Sequence, residues 1–244
     1  MIPLVLVHGF MGGSEQWGAQ LAALTDTHDI IAVDLPGFGK NAHLPVINSI
    51  DGFADWTISE LQSRGVTEYN LLGHSMGGMI VQEMARRDQN HIEHLILYAT
   101  GAIGVLPGRF ETIAESKARA KQDGPQKTAR RIASTWFLDR DSAEMFETCA
   151  KIAELASADA IEAGLDAMQA WSGEDLLFQI DTKTIVIWGD CDRTYSWAQT
   201  HLLWTSIPNA ALAVVPGCAH AVHAEKPYLL NTLIIFFQNT ASLV

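Results

Sequence analysis

The chain has 244 residues, 48% hydrophobic and 18% charged, which excludes a disordered or fibrous protein and suits one large unit built around a single core. Its formal charge of -12 at pH 7 argues against a nucleic-acid or anionic-membrane partner, because either polyanion would repel it. No apolar stretch is long enough to span a bilayer. The opening run, Met1 to Val7, lacks basic residues and meets His8-Gly9 too soon for a secretory signal, so a cytoplasmic protein is expected.

In chain order, an apolar run at residues 4–7 predicts a strand that ends on His8-Gly9-Phe10-Met11-Gly12-Gly13, and a helical pattern follows at 14–24. A second strand is predicted at 30–33, leading into Asp34-Leu35-Pro36-Gly37-Phe38-Gly39, with a helix at 49–63. The third run, 69–72, leads into Gly73-His74-Ser75-Met76-Gly77 and a helix over 76–87. A fourth strand is predicted at 95–98. From Gly101 to about Ile180 the strand signal vanishes, and Ala-rich helical stretches carry most of the basic residues. Strands return at 184–188 and 212–215, followed by helices at 197–206 and 227–239 respectively. Continuous apolar strands alternating with helices predict an α/β fold with a mostly parallel sheet covered on both faces and right-handed crossovers. The expected layout is a core of residues 1–100 and 181–244, with residues 101–180 inserted as a helical cap.

A serine between two glycines, where a strand turns into a helix, is the pattern of a nucleophile elbow, which leaves the serine Oγ exposed at the sheet's tip. A serine is a weak nucleophile and needs a base within reach and a third group to orient that base. Two later strand ends offer candidates: Gly189-Asp190-Cys191-Asp192, with two carboxylates, and Gly217-Cys218-Ala219-His220-Ala221-Val222-His223, with two histidines. Both follow C-terminal strand ends, where sites assemble in open α/β sheets. Cys149, Cys191 and Cys218 lack metal-ligand or CxxC spacing and read as free thiols, and His28, His43, His91, His94 and His201 show no metal pattern. His8, His74 and Asp34 read as residues that hold loops.

These motifs together, with acid and base following the serine in the order Ser, Asp, His, resemble the α/β-hydrolase superfamily along nearly the whole chain. The resemblance implies a triad of Ser75, Asp192 and His220. The family's G-x-x-D pattern aligns Gly189 with Asp192, leaving Asp190 as the alternative acid. Its closing motif aligns on His220, Glu225 and Pro227, although Ala219 stands where glycine is usual and leaves His223 as the alternative base. The resemblance also implies an oxyanion hole made by the main-chain N–H groups of Phe10 and Met76, and chemistry that needs no metal or organic cofactor.

Cap residues 104–110 and 129–137 are similar to those of 3-oxoadipate enol-lactonases. Helical spacing puts Ala129, Ala133 and Trp136 on one face, with Arg130 at its border beside Phe137 and Arg131 pointing away. Arg130 is therefore the expected anchor for a substrate carboxylate, and Trp136 and Phe137 the expected pocket wall; a solvated helix face with core aromatics is the plain alternative. The expectation is a hydrolase of a small-molecule ester or lactone, acting as a monomer or homodimer. A carbon-carbon bond hydrolase, a menaquinone-pathway-type lyase favoured by cap arginines, and a slow-turnover ligand receptor are the alternatives on the same fold.

Overall fold

A computed structural model describes residues 2–108 and 111–239; Arg109 and Phe110 of the cap motif lie outside the described residues. Six strands, β1 (Leu4–Val7), β2 (Ile30–Val33), β3 (Tyr69–His74), β4 (Ile92–Tyr98), β5 (Lys183–Gly189) and β6 (Ala211–Val215), form one parallel sheet in the order β2-β1-β3-β4-β5-β6. The chain reverses its direction of travel across the sheet after β2, which makes the crevice between β1 and β3 the place where an α/β sheet receives ligands.

The alternation of side chains across a strand explains two core layers. Val5, Val7, Leu71, Leu97 and Val186 face one layer, covered by α2 (Ile50–Ser63) and α3 (Met76–Asp88). Leu4, Leu6, Leu72, Ile96 and Ile187 face the other, covered by α1 (Gly18–Leu24) and a C-terminal helix described below. The Ser49 hydroxyl caps α2 by accepting the Gly52 N–H at 3.1 Å. The helix expected over 14–24 is split: Ser14–Trp17 winds as a tight 3-10 turn before α1 begins. That tighter turn lets the adjacent Gln16 and Trp17 both be buried.

Between β4 and β5 lie only helices among the described residues: α4 (Ile113–Asp123), α5 (Pro125–Ser134), α6 (Phe146–Ala153) and α7 (Ala158–Ala170), with short 3-10 turns. The segment leaves and rejoins the sheet through a narrow neck. The Gly173 N–H donates to the Ala102 carbonyl at 2.8 Å, the Gly104 N–H donates to the Trp171 carbonyl at 3.1 Å, and Ile103 bridges Ser172. After β5 come α8 (Trp197–Ser206), then β6, the one-turn α9 (Val222–Glu225) and α10 (Pro227–Asn239). No described helix is long and apolar enough to cross a membrane.

Candidate active site

Ser75 sits at φ 57° and ψ -120°, a conformation that non-glycine residues seldom adopt, between β3 and α3. The turn persists because its surroundings fix it: the Ser75 N–H donates to the Tyr98 carbonyl at 3.1 Å, and the Ser75 carbonyl accepts the Thr100 hydroxyl at 2.7 Å. Glycine is required on both sides. A Cβ on Gly73 would collide with the Gly77 carbonyl and the Val81 side chain, and one on Gly77 would collide with the carbonyls of Val7 and His8.

His220 follows β6, Asp192 follows β5, and His220 Nδ1 lies 2.9 Å from Asp192 Oδ2 with both side chains buried. The second carboxylate oxygen accepts the N–H groups of Thr194 (2.7 Å) and Tyr195 (3.2 Å), so the acid is locked in its own turn. The Tyr195 ring stacks on the His220 imidazole with centroids 5.7 Å apart. Ser75 and His220 line one cleft, enclosing about 550 Å³ including its open mouth. Gly9 passes so close to the nucleophile that an added Cβ would come within 2.8 Å of Ser75 Cβ, which brings the following Phe10 peptide to the cleft. Met76 is the first residue of α3, where the N–H has no acceptor within the helix.

The alternatives to this pair have other work. Asp190 accepts the N–H groups of Gly217 (2.7 Å) and Cys218 (3.4 Å) and so ties the two loops together, with the Cys191 thiol and those N–H groups holding its carboxyl below the usual range. His223 is buried against Tyr98, its Nδ1 3.0 Å from the hydroxyl, and burial lowers its pKa to about 3. His74 lies between Gln16 and the His220 carbonyl, and burial followed by the neighbouring His220 and His223 depresses it well below the usual imidazole range. His8 bridges loops as a loop-holding residue would, accepting the Leu35 N–H at Nε2 (3.0 Å), and Asp34 accepts the N–H groups of Ser14 and Lys40.

The cap residues differ from the expectation. Trp136 lines the cleft, together with Leu106, Ile132, Thr135 and Met168 from the helical segment. Phe137 does not: it follows the end of α5 at Ser134 and is wholly buried outside the cleft. Arg130 is on the outer face, its guanidinium 2.7 Å from Glu147 and 3.2 Å from Glu154 and lying over the Phe146 ring. Arg131, expected to point away, is the more buried of the two and pairs with Glu111 at 2.8 Å. No Asp, Glu, Lys or Arg lines the cleft among the described residues.

Two positions, Gln16 and Tyr98, gave no sequence signal of a role here, and Glu225 was marked only as part of the closing motif. Gln16 lines the cleft beside His74. Tyr98 donates its hydroxyl to the His220 carbonyl at 3.0 Å. The Glu225 carboxylate accepts the N–H groups of Ala219 (2.7 Å) and Leu138 (2.6 Å), clamping the histidine loop to the segment after α5. No group of three or more His, Cys, Asp or Glu side chains could hold a metal among the described residues.

A family model described as the alpha/beta hydrolase fold matches residues 2–227. The chain is 26% identical over 242 residues to "Putative carbamate hydrolase RutD" of Pseudomonas savastanoi pv. phaseolicola, covering 97% of this chain and 93% of that one. It is 24% identical over 234 residues to esterase YbfF of Escherichia coli, covering 92% and 88%. The enol-lactonase of Burkholderia xenovorans LB400 superposes with a TM-score of 0.88 at 20% identity, covering 98% and 92%, a likeness of fold.

Proposed function

Because this chain belongs to the α/β-hydrolase fold family, we propose that it is a serine hydrolase that cleaves a small, uncharged carboxylic ester or lactone through an acyl-enzyme on Ser75. The observation that carries the reading is the buried Asp192–His220 pair opening on the same cleft as the strained Ser75. Asp192 holds the imidazole with its proton on Nδ1, leaving Nε2 free to take the Ser75 proton as Oγ attacks the substrate carbonyl carbon. The oxyanion that forms is received by the N–H groups of Phe10 and Met76, fixed dipoles that need no reorganisation during the reaction. His220 then gives its proton to the leaving oxygen, and the acyl group stays on Ser75. Water enters, loses a proton to His220 and attacks the acyl carbon; collapse of the second tetrahedral intermediate releases the acid and restores the serine.

Substrate charge follows from the wall. A carboxylate group held in the cleft would need a cation or a set of donors to replace its water, and the described lining offers none of the former. Arg130, the expected anchor for an acidic lactone, is engaged by two glutamates on the outer surface. Leu106, Ile132, Trp136 and Met168 suit an apolar acyl or alcohol group, while Gln16, Thr135 and Thr194 supply polar contacts. The lyase reading, which arginines in the pocket would favour, gains no support from the described lining. The free cysteines are in keeping with a cytoplasmic setting.

The test is turnover of a chain-length series of p-nitrophenyl esters beside neutral and acidic lactones. Neutral substrates turn over and lose at least about 10⁴-fold in kcat with Ser75→Ala. Wild-type rates in that variant would remove the mechanism, and a preference for the acidic lactone would remove the neutral-substrate assignment.

A further inference from the structure

Charge is distributed unevenly along this chain. Residues 194–244 contain two charged side chains, Glu225 and Lys226, which cancel, so residues 1–193 carry the whole formal charge of -12. The described part of that neutral segment gathers at one end of the sheet. Leu203 of α8 packs in the layer that holds Val186 and Leu212, while Leu230 and Ile234 of α10 pack in the layer that holds Ile187 and Ala213. The two helices thus lie on opposite faces, with β6 at the sheet's edge and β5 its sole strand partner among the described residues.

The same segment carries most of the large hydrophobic side chains exposed among the described residues. Of eleven large hydrophobic side chains exposed among the described residues, seven belong to it: Trp197, Trp204 and Val214 on the α8 side, and Tyr228, Leu229, Ile235 and Phe236 on α10. On α8 the exposed residues form a strip. Trp197, His201 and Trp204 recur at helical spacing, with ring centroids 5.6 and 6.0 Å apart. Trp197 continues onto Trp188 of β5 at 5.8 Å, and Trp188 is paired in register with the exposed Val214 of β6. An aromatic band therefore runs from the helix to the open edge of the sheet.

We propose that this edge is the seat of a second copy of the chain, with β6 pairing antiparallel to its own counterpart about a two-fold axis and the two α8 strips closing against each other. Three observations select that occupant. An edge strand offers unpaired N–H and C=O groups, and proteins that keep such an edge free place lysines, prolines or bulges on it; Ala211–Val215 has no charge, no proline and an unbroken register. A strand running antiparallel to itself is self-complementary, which is what a two-fold interface requires. Residues 1–193 carry the whole net charge of -12, so charge opposes self-association least where the contributing segment is neutral. The cleft is lined by neither α8 nor β6, so it stays open in the pair.

Sedimentation velocity of the full chain at about 100 µM tests this. The expected particle has about twice the 26.7 kDa chain mass. Trp204→Glu and Val214→Lys each return it to a single chain while ester turnover and the far-UV spectrum are kept. Leu155→Glu, an equally exposed apolar position on the helical insertion, leaves the pair intact. Amide exchange adds a second reading: the 211–215 backbone is protected in the wild type and exchanges faster in Trp204→Glu. A single chain throughout the concentration range, or a dimer that persists in both variants, overturns the proposal. A dimer whose 211–215 amides exchange freely overturns the strand pairing.

Discussion

The strand-tip loops and the helical insertion face each other across the cleft, yet they are held by different forces. The loops are fixed by hydrogen bonds to main-chain groups: Asp190 to the Gly217 N–H at the surface, Glu225 to the Ala219 N–H half-buried, and the Tyr98 hydroxyl to the His220 carbonyl in the interior. Apart from the largely buried Arg131–Glu111 pair, the insertion's ion pairs lie towards the outside, where Lys117–Asp166 and Lys121–Glu162 join α4 to α7, and Arg130 joins α5 to Glu147 and Glu154. Exposed ion pairs contribute little each and weaken with salt, so the insertion depends on the apolar contacts beneath them. Reacting atoms have to be placed within fractions of an ångström, and directional bonds to the main chain supply that. A cleft wall needs only to exclude water and offer a shape.

The contrast can be broken from either side. Removing the nucleophile with Ser75→Ala, or the base with His220→Ala, has the largest effect, about 10⁴-fold or more in kcat, measured under single-turnover conditions. Asp192→Asn leaves His220 without its orienting acceptor and costs about 10³ to 10⁴-fold in kcat, whereas Asp190→Asn costs under about tenfold because it touches only the loops; steady-state kinetics of the two variants compares them. Gly77→Ala drives a methyl group into the Val7 and His8 carbonyls and destabilises the fold by about 3 kcal/mol or more, read from urea unfolding.

Acid should weaken the loops before it weakens the insertion. His223 and His74 are buried as neutral bases with depressed pKa values, so below pH 6.5, and for His223 down to about 3, the unfolded chain binds protons that the folded chain refuses. Their contribution is complete above pH 6.5, and stability falls as the pH drops below it, by up to about 1.4 kcal/mol per pH unit per histidine. His223→Gln flattens this slope in a series of thermal midpoints against pH; an unchanged slope would assign the acid sensitivity elsewhere. The smallest effect belongs to the insertion: Arg130→Met leaves kcat and KM unchanged and moves the thermal midpoint by no more than about 2 °C. A rise in KM confined to anionic substrates would return Arg130 to the cleft.

Strands were legible because both faces of the sheet are covered, so runs such as 4–7 and 30–33 are apolar throughout rather than alternating, and the structure has strands at those positions. The elbow was legible because its glycines answer a local steric demand. The roles of Asp190 and Asp192 were not separable by spacing alone. Both follow one strand, and the difference lies in whether a carboxylate meets the histidine or the N–H groups of the neighbouring loop. Helical phase likewise placed Ala129 and Ala133 inward, as found, but put Arg130 at the border of that face and Arg131 pointing away, the reverse of what burial shows. Which arginine turned inward was decided by Glu111, Glu147 and Glu154, partners that lie far along the chain. Gln16 and Tyr98 reach the site through contacts 58 and 122 residues distant in sequence, and no periodicity records those.

The neck at Ala102–Gly104 and Trp171–Gly173 has an evolutionary meaning. Because β4 and β5 pair directly, from His94 with Lys183 to Tyr98 with Ile187, the sheet closes behind the insertion whatever its length. Everything between the two ends of the neck can be lengthened, shortened or exchanged without shifting a strand register, since a longer surface excursion costs only a slowly growing closure entropy. Five cleft residues, Leu106, Ile132, Thr135, Trp136 and Met168, lie within that interchangeable segment, whereas Ser75, Asp192 and His220 lie outside it. Grafting a different insertion at the neck is therefore a way to change what the cleft accepts, provided the graft restores the contacts that Trp136 and Leu138 make with Ala221 and Glu225 beside His220.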